Sequence, residues 1–189
     1  MDSFAFMKLT SAHFCRYVAL IKEDQWNDPT PCPGWNVSTL VLHMIDGDNM
    51  ATALLSGASA EIAMEELGAS TLAGDVVAQF ETAAINMRRA FEVTGALDRV
   101  VHHPGGDMPG ARLLDFRSSD AVLHGWDLAR AIGADDSIDE RIVERLWEGF
   151  QPMAPMLAKT GMFGDGPSGN LDESHPLHHR LLDLVGRRP

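Results

Sequence analysis

The sequence predicts an all-α protein built on four long helices. Apolar residues recur at the three- and four-residue spacing of an amphipathic helix over about 3–25, 37–55, 74–94 and 111–132. Glycine and proline punctuate the segments between them, and long helices joined in this way are typical of a bundle. At 45% hydrophobic residues the chain is long enough to form a substantial core, so we expect residues 1–189 to be a single domain.

The first two helices are separated by a proline-rich loop. In the first helix His13 lies beside Phe14, and we expect it to be a surface or capping histidine. Three prolines within residues 28–35 exclude helix there and favour a rigid loop. Asn36 is a suitable N-cap for the second helix, because its side-chain oxygen can accept a hydrogen bond from a free backbone N–H. Gly57 is expected to end that helix.

The remaining segments predict shorter elements. Residues 56–72 are rich in Gly, Ala, Ser and Glu and are expected to form a loop or an irregular segment. Paired valines before a Pro-Gly-Gly turn predict a small hairpin near 98–110. A capping box from Ser137 to Glu140 predicts a fifth helix, and a short last helix is expected over about 176–186.

Composition excludes several classes of partner. Asp and Glu number 27 against 15 Lys and Arg, so the formal net charge is −12, which argues against nucleic acid and anionic membrane surfaces as partners. The chain shows neither a signal peptide nor an apolar run near the roughly 20 residues of a membrane span. Two cysteines, Cys15 and Cys32, favour a reducing compartment. We therefore expect a cytoplasmic protein with a small-molecule partner; the oligomeric state stays open, with a homodimer as one option.

Two polar side chains interrupt the apolar face of the fourth long helix. Asp120 and His124 are one turn apart, so both leave the same face of that helix. The rest of the face is apolar, with Leu113, Ala121, Leu128 and Ile132. Burying an unpaired polar group costs roughly 2–7 kcal/mol, so each side chain needs a partner. Spacing alone leaves two interpretations open, a hydrogen-bonded buried pair or two ligands of a metal ion.

A third inward polar residue lies on the second helix. His43 falls in an apolar row with Leu40, Met50 and Leu54. Facing helices of a bundle can bring such side chains together, and metal sites in bundles are built in this way. Two imidazoles and one carboxylate with open positions are the ligand set of a catalytic zinc site, and also of a facial non-heme iron site. Polar interruptions of two apolar stripes favour the metal interpretation.

Four neighbours are candidates for supporting or substrate contacts, although no catalytic residue can be assigned. Asp46 could act as a base or contact a ligand, or it could be a solvated helix acid. Gly47 could leave space beside the second-helix histidine, or allow close helix packing. Arg117 could be a buried counter-charge or a clamp for a substrate anion. Asp127 could orient an imidazole or pair with Arg130.

Two other features could carry chemistry. Cys32 lies among prolines and could be a thiol near the site, but a lone cysteine is usually structural or inert. Histidines in the tail at 175–179 have helical spacing, but Pro176 interrupts them, which is more typical of an exposed helix start.

Two stretches resemble the signatures of a known family. They are Pro31-Cys-Pro-Gly-Trp-Asn-Val-Ser-Thr-Leu-Val-Leu-His43 and Asp120-Ala-Val-Leu-His-Gly-Trp-Asp-Leu-Ala-Arg-Ala131. Both are similar to stretches of the mycothiol-dependent maleylpyruvate isomerase N-terminal family, whose members are DinB-like metal-binding four-helix bundles. The tail, Gly161-Met-Phe-Gly164 through Leu181-Leu-Asp-Leu-Val-Gly-Arg187, resembles the ending of its short actinobacterial members. The resemblance implies a DinB-like bundle with additional short helices.

The resemblance also implies a ligand set and a cofactor. In the family a second-helix histidine and an acidic-x-x-x-His pair hold a divalent metal, often zinc, and these positions correspond to His43, Asp120 and His124. Nickel and iron are the alternatives to zinc, and a low-molecular-weight thiol of the mycothiol type is the implied cofactor. A thiol coordinated to a dipositive ion loses its proton and can attack an electrophilic substrate.

Two departures from the family pattern limit the function. The isomerase has Glu where this chain has Asp120, and it carries a C-terminal domain where this chain is expected to end, so maleylpyruvate isomerisation itself is not implied. The sequence therefore leaves two functions open: a metal- and thiol-dependent transferase or isomerase of unspecified substrate, and a non-catalytic metal-binding bundle with a binding or stress-response role.

Overall fold

Helices make up most of the regular structure. The computed structural model describes residues 1–160 and 166–189, without the side chains of 158–160, so the tail motif at 161–164 lies outside the described residues. The α-helices are α1 (Ser3–Val18), α2 (Val37–Leu55), α3 (Ala60–Glu65), α4 (Val76–Phe91), α5 (Gly110–Ile132), α6 (Glu140–Phe150), α7 (Ala154–Thr160) and α8 (Leu177–Leu184). A 3-10 helix spans Gln151–Met153, and an antiparallel hairpin is formed by β1 (Val100–His103) and β2 (Gly106–Pro109). The all-α class and the hairpin near 98–110 are confirmed.

The chain divides into two compact units, Met1–Asp136 and Ser137–Pro189. The first holds α1 to α5 and the hairpin, and the second holds α6 to α8. A single domain over 1–189 stays a prediction. Within the described residues, no helix combines the length and apolarity that a bilayer crossing requires.

The first unit is a bundle of the four long helices. Helices α1 and α2 each pack against both α4 and α5. Their apolar faces meet in a shared core, where the rings of Phe14 and Phe80 lie 4.9 Å apart. Other buried members of this core are Tyr17, Val18, Val37, Leu40, Val41, Met44, Ile45, Ala121, Leu128 and Ala129. Packing of amphipathic faces therefore fixes the relative positions of α2 and α5, the two helices that carry the predicted ligands.

Several predicted helix ends are confirmed. The Asn36 side chain accepts a hydrogen bond from the Thr39 backbone N–H at 2.9 Å and caps α2. Ser56 is the C-cap of that helix. Gly57 follows it with φ +97°, a backbone conformation that glycine adopts without strain. Gly133 ends α5 in the left-handed conformation.

Other local predictions were wrong. Helix α1 ends at Val18, not near residue 25. Gln25 lies beyond the helix, and its side chain donates a hydrogen bond to the Ile132 carbonyl at the end of α5. The 56–72 segment contains the short helix α3, because the Ser59 side chain caps it. Asp139, not Ser137, is the N-cap of α6.

Candidate metal centre

Helix α5 aligns one side of the site. Arg117, Asp120, His124 and Asp127 follow one another at spacings of three, four and three residues, so their side chains leave the same helix face over three turns. All but Asp120 are buried residues, and the Asp120 side chain is 17% exposed. A single helix therefore supplies a row of charged groups that the bundle partly encloses.

The structure brings the three predicted ligands together. Nε2 of His43 lies 3.3 Å from Oδ2 of Asp120, and Nε2 of His124 lies 3.4 Å from Oδ1 of the same carboxylate. The imidazole rings meet edge to face with centroids 5.0 Å apart. One ligand atom from each of the three residues lies within 4.8 Å of the others. Two imidazole nitrogens and a carboxylate oxygen are donors suited to zinc, so the residues present fit a divalent ion.

Arg117 fixes the orientation of the Asp120 carboxylate. Its Nη1 donates to Oδ2 of Asp120 at 2.6 Å, while Nη2 donates to Oδ1 of Asp48 at 2.8 Å and to the Met44 carbonyl at 3.1 Å. Its Nε donates to the same Asp48 oxygen at 3.2 Å. The guanidinium is the predicted buried counter-charge, and its hold on Oδ2 leaves Oδ1 of Asp120 the freer oxygen.

Gly47 makes room for this guanidinium. A Cβ at position 47 would lie 2.4 Å from Nη1 of Arg117 and 2.6 Å from its Cζ. The space that the sequence predicted beside the second-helix histidine is thus filled by Arg117, which reaches across from α5. Close approach of a charged side chain to the α2 backbone requires glycine here.

The charges of the row stabilise one another. Burial disfavours the ionised form of Asp120, but the nearby His124 and Arg117 charges outweigh it and hold the pKa of Asp120 well below its usual range. Burial also disfavours the imidazolium of His124, but Asp120, with help from Asp127, raises the pKa of His124 well above its usual value. The pKa of Arg117 is raised, because Asp48 and Asp120 outweigh the cost of its burial. The two carboxylates beside His124 therefore favour the protonated form of its ring.

The other edge of the His124 ring faces two further side chains, those of Asp127 and Cys32. Its Nδ1–H donates to Oδ2 of Asp127 at 3.0 Å, and the Asp127 side chain is fully buried. The Cys32 thiol donates to the same oxygen at 3.2 Å, with its Sγ 3.7 Å from Nδ1 of His124. The predicted role of Asp127 in orienting an imidazole matches this placement, and Nε2 is left facing Asp120.

A tight turn presents Cys32 and Trp35 to the site. The Trp35 backbone N–H donates to the Cys32 carbonyl at 3.0 Å, and Gly34 between them has φ +79°. Proline then glycine at the two central positions is the signature of a type II turn. The Trp35 ring stacks on His124 at 5.6 Å between centroids and contacts His43 at 4.7 Å.

The structure places the remaining histidine and acid candidates elsewhere. Asp46 is buried and accepts hydrogen bonds from the Gly68 and Ser70 backbone N–H groups at 2.7 and 3.1 Å, so it holds the 66–72 segment against α2. His13, predicted at the surface, is buried and packs edge to face on Tyr17.

Sequence reasoning missed or underrated three residues of the site. Asp48 was not among the candidates, although it falls one turn after Met44 in a buried row of α2, where a carboxylate needs a partner. Trp35 was not among the candidates either, although its ring contacts both histidines. Cys32 was judged more often inert, yet it contacts Asp127.

The residues of the centre lie within a recognisable family domain. The family model described as the mycothiol maleylpyruvate isomerase N-terminal domain matches residues 9–129. The chain belongs to this family. The matched region contains every residue of the centre, from Cys32 to Asp127.

Further proteins resemble the chain in sequence, and solved structures resemble it in fold. Uncharacterized proteins from two strains of Mycobacterium tuberculosis are each 28% identical over 134 residues, covering 70% of this chain and 69% of their own length. Crystal structures of the mycothiol-dependent maleylpyruvate isomerase, one of them of a histidine-to-alanine mutant, superpose with a TM-score of 0.64 at 22% and 20% identity. They cover 84% and 85% of this chain and 72% and 70% of the isomerase chain. The DinB-like helical fold is thereby confirmed.

Proposed function

We propose that the protein binds a divalent metal ion, zinc first and nickel or iron as alternatives, through His43, Asp120 and His124. The observation that carries this proposal is the convergence of three ligand atoms, from two helices, within 4.8 Å. We further propose that the bound ion serves a thiol-dependent transfer or isomerisation of a small molecule. Membership of the mycothiol maleylpyruvate isomerase N-terminal domain family supports the thiol part.

The residues around the ligands suit them to hold an ion. Asp127 accepts the Nδ1–H of His124, which fixes the ring and leaves Nε2 as the donor. Arg117, itself held by Asp48, fixes the Asp120 carboxylate from the opposite side. Such supporting contacts typically change metal affinity 10- to 100-fold when they are removed.

The centre is accessible to a small molecule. The His43 side chain is 31% exposed, so the open side of the ligand set reaches solvent. A divalent ion there would supply Lewis acidity and lower the pKa of a bound thiol. Because the thiol would be the nucleophile, this chain needs only to hold and orient it beside the substrate, and Trp35 offers an apolar wall for that purpose.

Metal analysis tests the ligand assignment. Protein purified without added metal is analysed by mass spectrometry of its metals, together with His43→Ala and the matched control His102→Ala. His102 is an exposed hairpin histidine paired with Asp107, so its removal leaves the centre intact. We expect at least one divalent ion per chain in wild type and His102→Ala, and about one ion per chain less in His43→Ala. Equal metal in all three would show that the assignment is wrong.

Calorimetric titration with mycothiol tests the thiol part. We expect heat of binding with the metal-loaded protein and none with the metal-free protein. Equal affinity for both forms would contradict thiol activation by the ion. Metal binding without any mycothiol binding would instead support the alternative function, a non-catalytic metal-binding bundle.

A further inference from the structure

The two ring nitrogens of His124 face two different groups of side chains that could bind a metal ion. Nε2 faces Asp120 and, across it, His43. Nδ1, on the opposite edge of the ring, faces the Asp127 carboxylate and the Cys32 thiol. The proposed function uses the first group alone, so the second group has no role in it beyond orienting the ring.

The second group has the dimensions of a metal site. Its three donor atoms are separated by 3.0 Å (Nδ1 to Oδ2 of Asp127), 3.2 Å (Oδ2 to Sγ of Cys32) and 3.7 Å (Sγ to Nδ1). A tetrahedral zinc ion with ordinary bonds to sulfur, nitrogen and oxygen sets its ligand atoms about 3.3–3.6 Å apart. The three atoms therefore already form one face of such a tetrahedron, and shifts of a few tenths of an ångström would complete it.

We propose that Cys32, Asp127 and Nδ1 of His124 form a second binding site, for a thiophilic divalent cation such as zinc, cadmium or cobalt. A thiolate, an imidazole and a carboxylate together favour such ions over magnesium or calcium, which take oxygen ligands. Water would fill the fourth position, because Cys32 is only half-buried. The His43 group can be empty or filled, so this site does not depend on the proposed function.

Local structure keeps these donors in place before an ion arrives. The Pro33-Gly34 turn fixes the Cys32 backbone, and the Cys32 N–H donates to the Thr30 hydroxyl at 3.1 Å. Asp127 lies on α5, three residues after His124, so the helix fixes their separation. The ordering cost of bringing the loop to the helix is therefore met by folding.

Binding exchanges protons for the ion. The Cys32 thiol loses its S–H proton and His124 loses its Nδ1–H, and both protons pass to solvent. The ion then takes the positions that the two hydrogen bonds to Asp127 occupied. When the first group is also filled, His124 would release its Nε2–H to solvent as well, and both of its ring nitrogens would then serve as ligand atoms.

Cobalt spectroscopy tests the second site. Co²⁺ bound to a thiolate gives a sulfur-to-metal charge-transfer absorption that nitrogen and oxygen ligands do not give, so the band reports Cys32 directly. Titrations compare wild type, Cys32→Ser, His43→Ala and the matched control Cys15→Ser, whose thiol bonds Glu81 on another face of the bundle. Circular dichroism confirms that each variant is folded. We expect the band in every protein except Cys32→Ser, where it falls at least tenfold.

Three results would overturn the proposal: no band in wild type at saturating Co²⁺, a band that survives in Cys32→Ser, or a band that also disappears in His43→Ala. The last result would mean that one ion, and not two separate sites, explains the spectrum. Failure of the proposed function has a different signature, since His43→Ala would then hold as much metal as wild type while the cobalt band still depends on Cys32.

Thiol protection gives an independent measurement. Burial, together with the Glu81 carboxylate, raises the pKa of the Cys15 thiol to about 11, so at neutral pH iodoacetamide reacts with it slowly. Modification therefore reports mainly on Cys32. We expect saturating Zn²⁺ to slow carboxamidomethylation of Cys32 at least tenfold, measured by peptide mass spectrometry, while magnesium has no effect. An unchanged rate with Zn²⁺ would overturn the proposal.

Discussion

Replacing Gly47 with alanine adds one methyl group where the structure has no room for it. The new Cβ would lie within 2.8 Å of three atoms of the Arg117 guanidinium, which must then move. Arg117 is fully buried and pairs with Asp48 and Asp120, so any shift weakens two ion pairs and the bond to the Met44 carbonyl. The substitution therefore tests whether this buried network depends on the glycine.

The size of the effect follows from two opposing contributions. Separating a buried charge from its partner costs about 3–5 kcal/mol. Alanine in a helix interior is favoured over glycine by about 1 kcal/mol. We expect Gly47→Ala to lower the free energy of unfolding by about 2–4 kcal/mol, and to weaken zinc binding because Asp120 loses its support.

Urea unfolding followed by tryptophan fluorescence measures this change, because Trp26, Trp35 and Trp126 all lie in the first unit. Gly149→Ala is the control for helix propensity, read through Trp147 in the same helix α6: Gly149 is also helical, but a Cβ there meets no atom within 4 Å. We expect it to be neutral or stabilising by up to about 1 kcal/mol. A Gly47→Ala midpoint equal to wild type, at an unchanged slope, would refute the reasoning.

Three further predictions follow from other contacts of the first unit. Asp46→Ala removes two hydrogen-bond acceptors, so we expect hydrogen exchange at Gly68 and Ser70 to accelerate while the α5 amides stay protected. Asn36→Ala removes the cap of α2 and should cost about 1 kcal/mol in urea unfolding. In metal-free protein the raised pKa of His124 stabilises the fold fully below about pH 6.5, and we expect this contribution to be lost as the pH rises through the folded-state pKa.

Each of these has a clear contrary result. Unchanged exchange in the 66–72 segment would show that Asp46 does not hold it. An Asn36→Ala protein as stable as wild type, with Asn36→Asp as the capping control, would contradict the cap assignment. For the pH dependence, the stability difference between wild type and His124→Gln should be largest in acid; a difference that grows toward alkaline pH would be of the wrong sign.

The clustering of three inward polar side chains could be predicted from sequence because helical periodicity is a strong signal. His43, Asp120 and His124 each interrupt an apolar stripe, and stripes on facing helices point toward a common core. That reasoning needs no knowledge of loops. It therefore reached the three donors, and the resemblance of the two motifs reached the fold, without any tertiary information.

The misses depend on contacts between segments remote in sequence. The role of Asp46 is set by backbone N–H groups more than 20 residues later, and that of Asp48 by an arginine 69 residues later. Cys32 lies in a loop, where no periodicity signals which way a side chain faces, and its partner Asp127 is 95 residues away. Such pairings are fixed by packing of the bundle and not by local pattern.

The turn at residues 32–35 differs from α5 in how freely it can change. Its backbone hydrogen bonds are mostly to neighbouring residues of the same loop. The Thr30 backbone N–H donates to the Trp35 carbonyl, and Pro29 forms an antiparallel β-bridge with Asn36. Side chains at positions 32 and 35 can therefore be exchanged while the backbone keeps its course, whereas the buried row on α5 tolerates few substitutions. Over evolutionary time, descendants of one bundle can acquire new reactivity by altering two loop positions, and the helices that carry the imidazoles need not diverge.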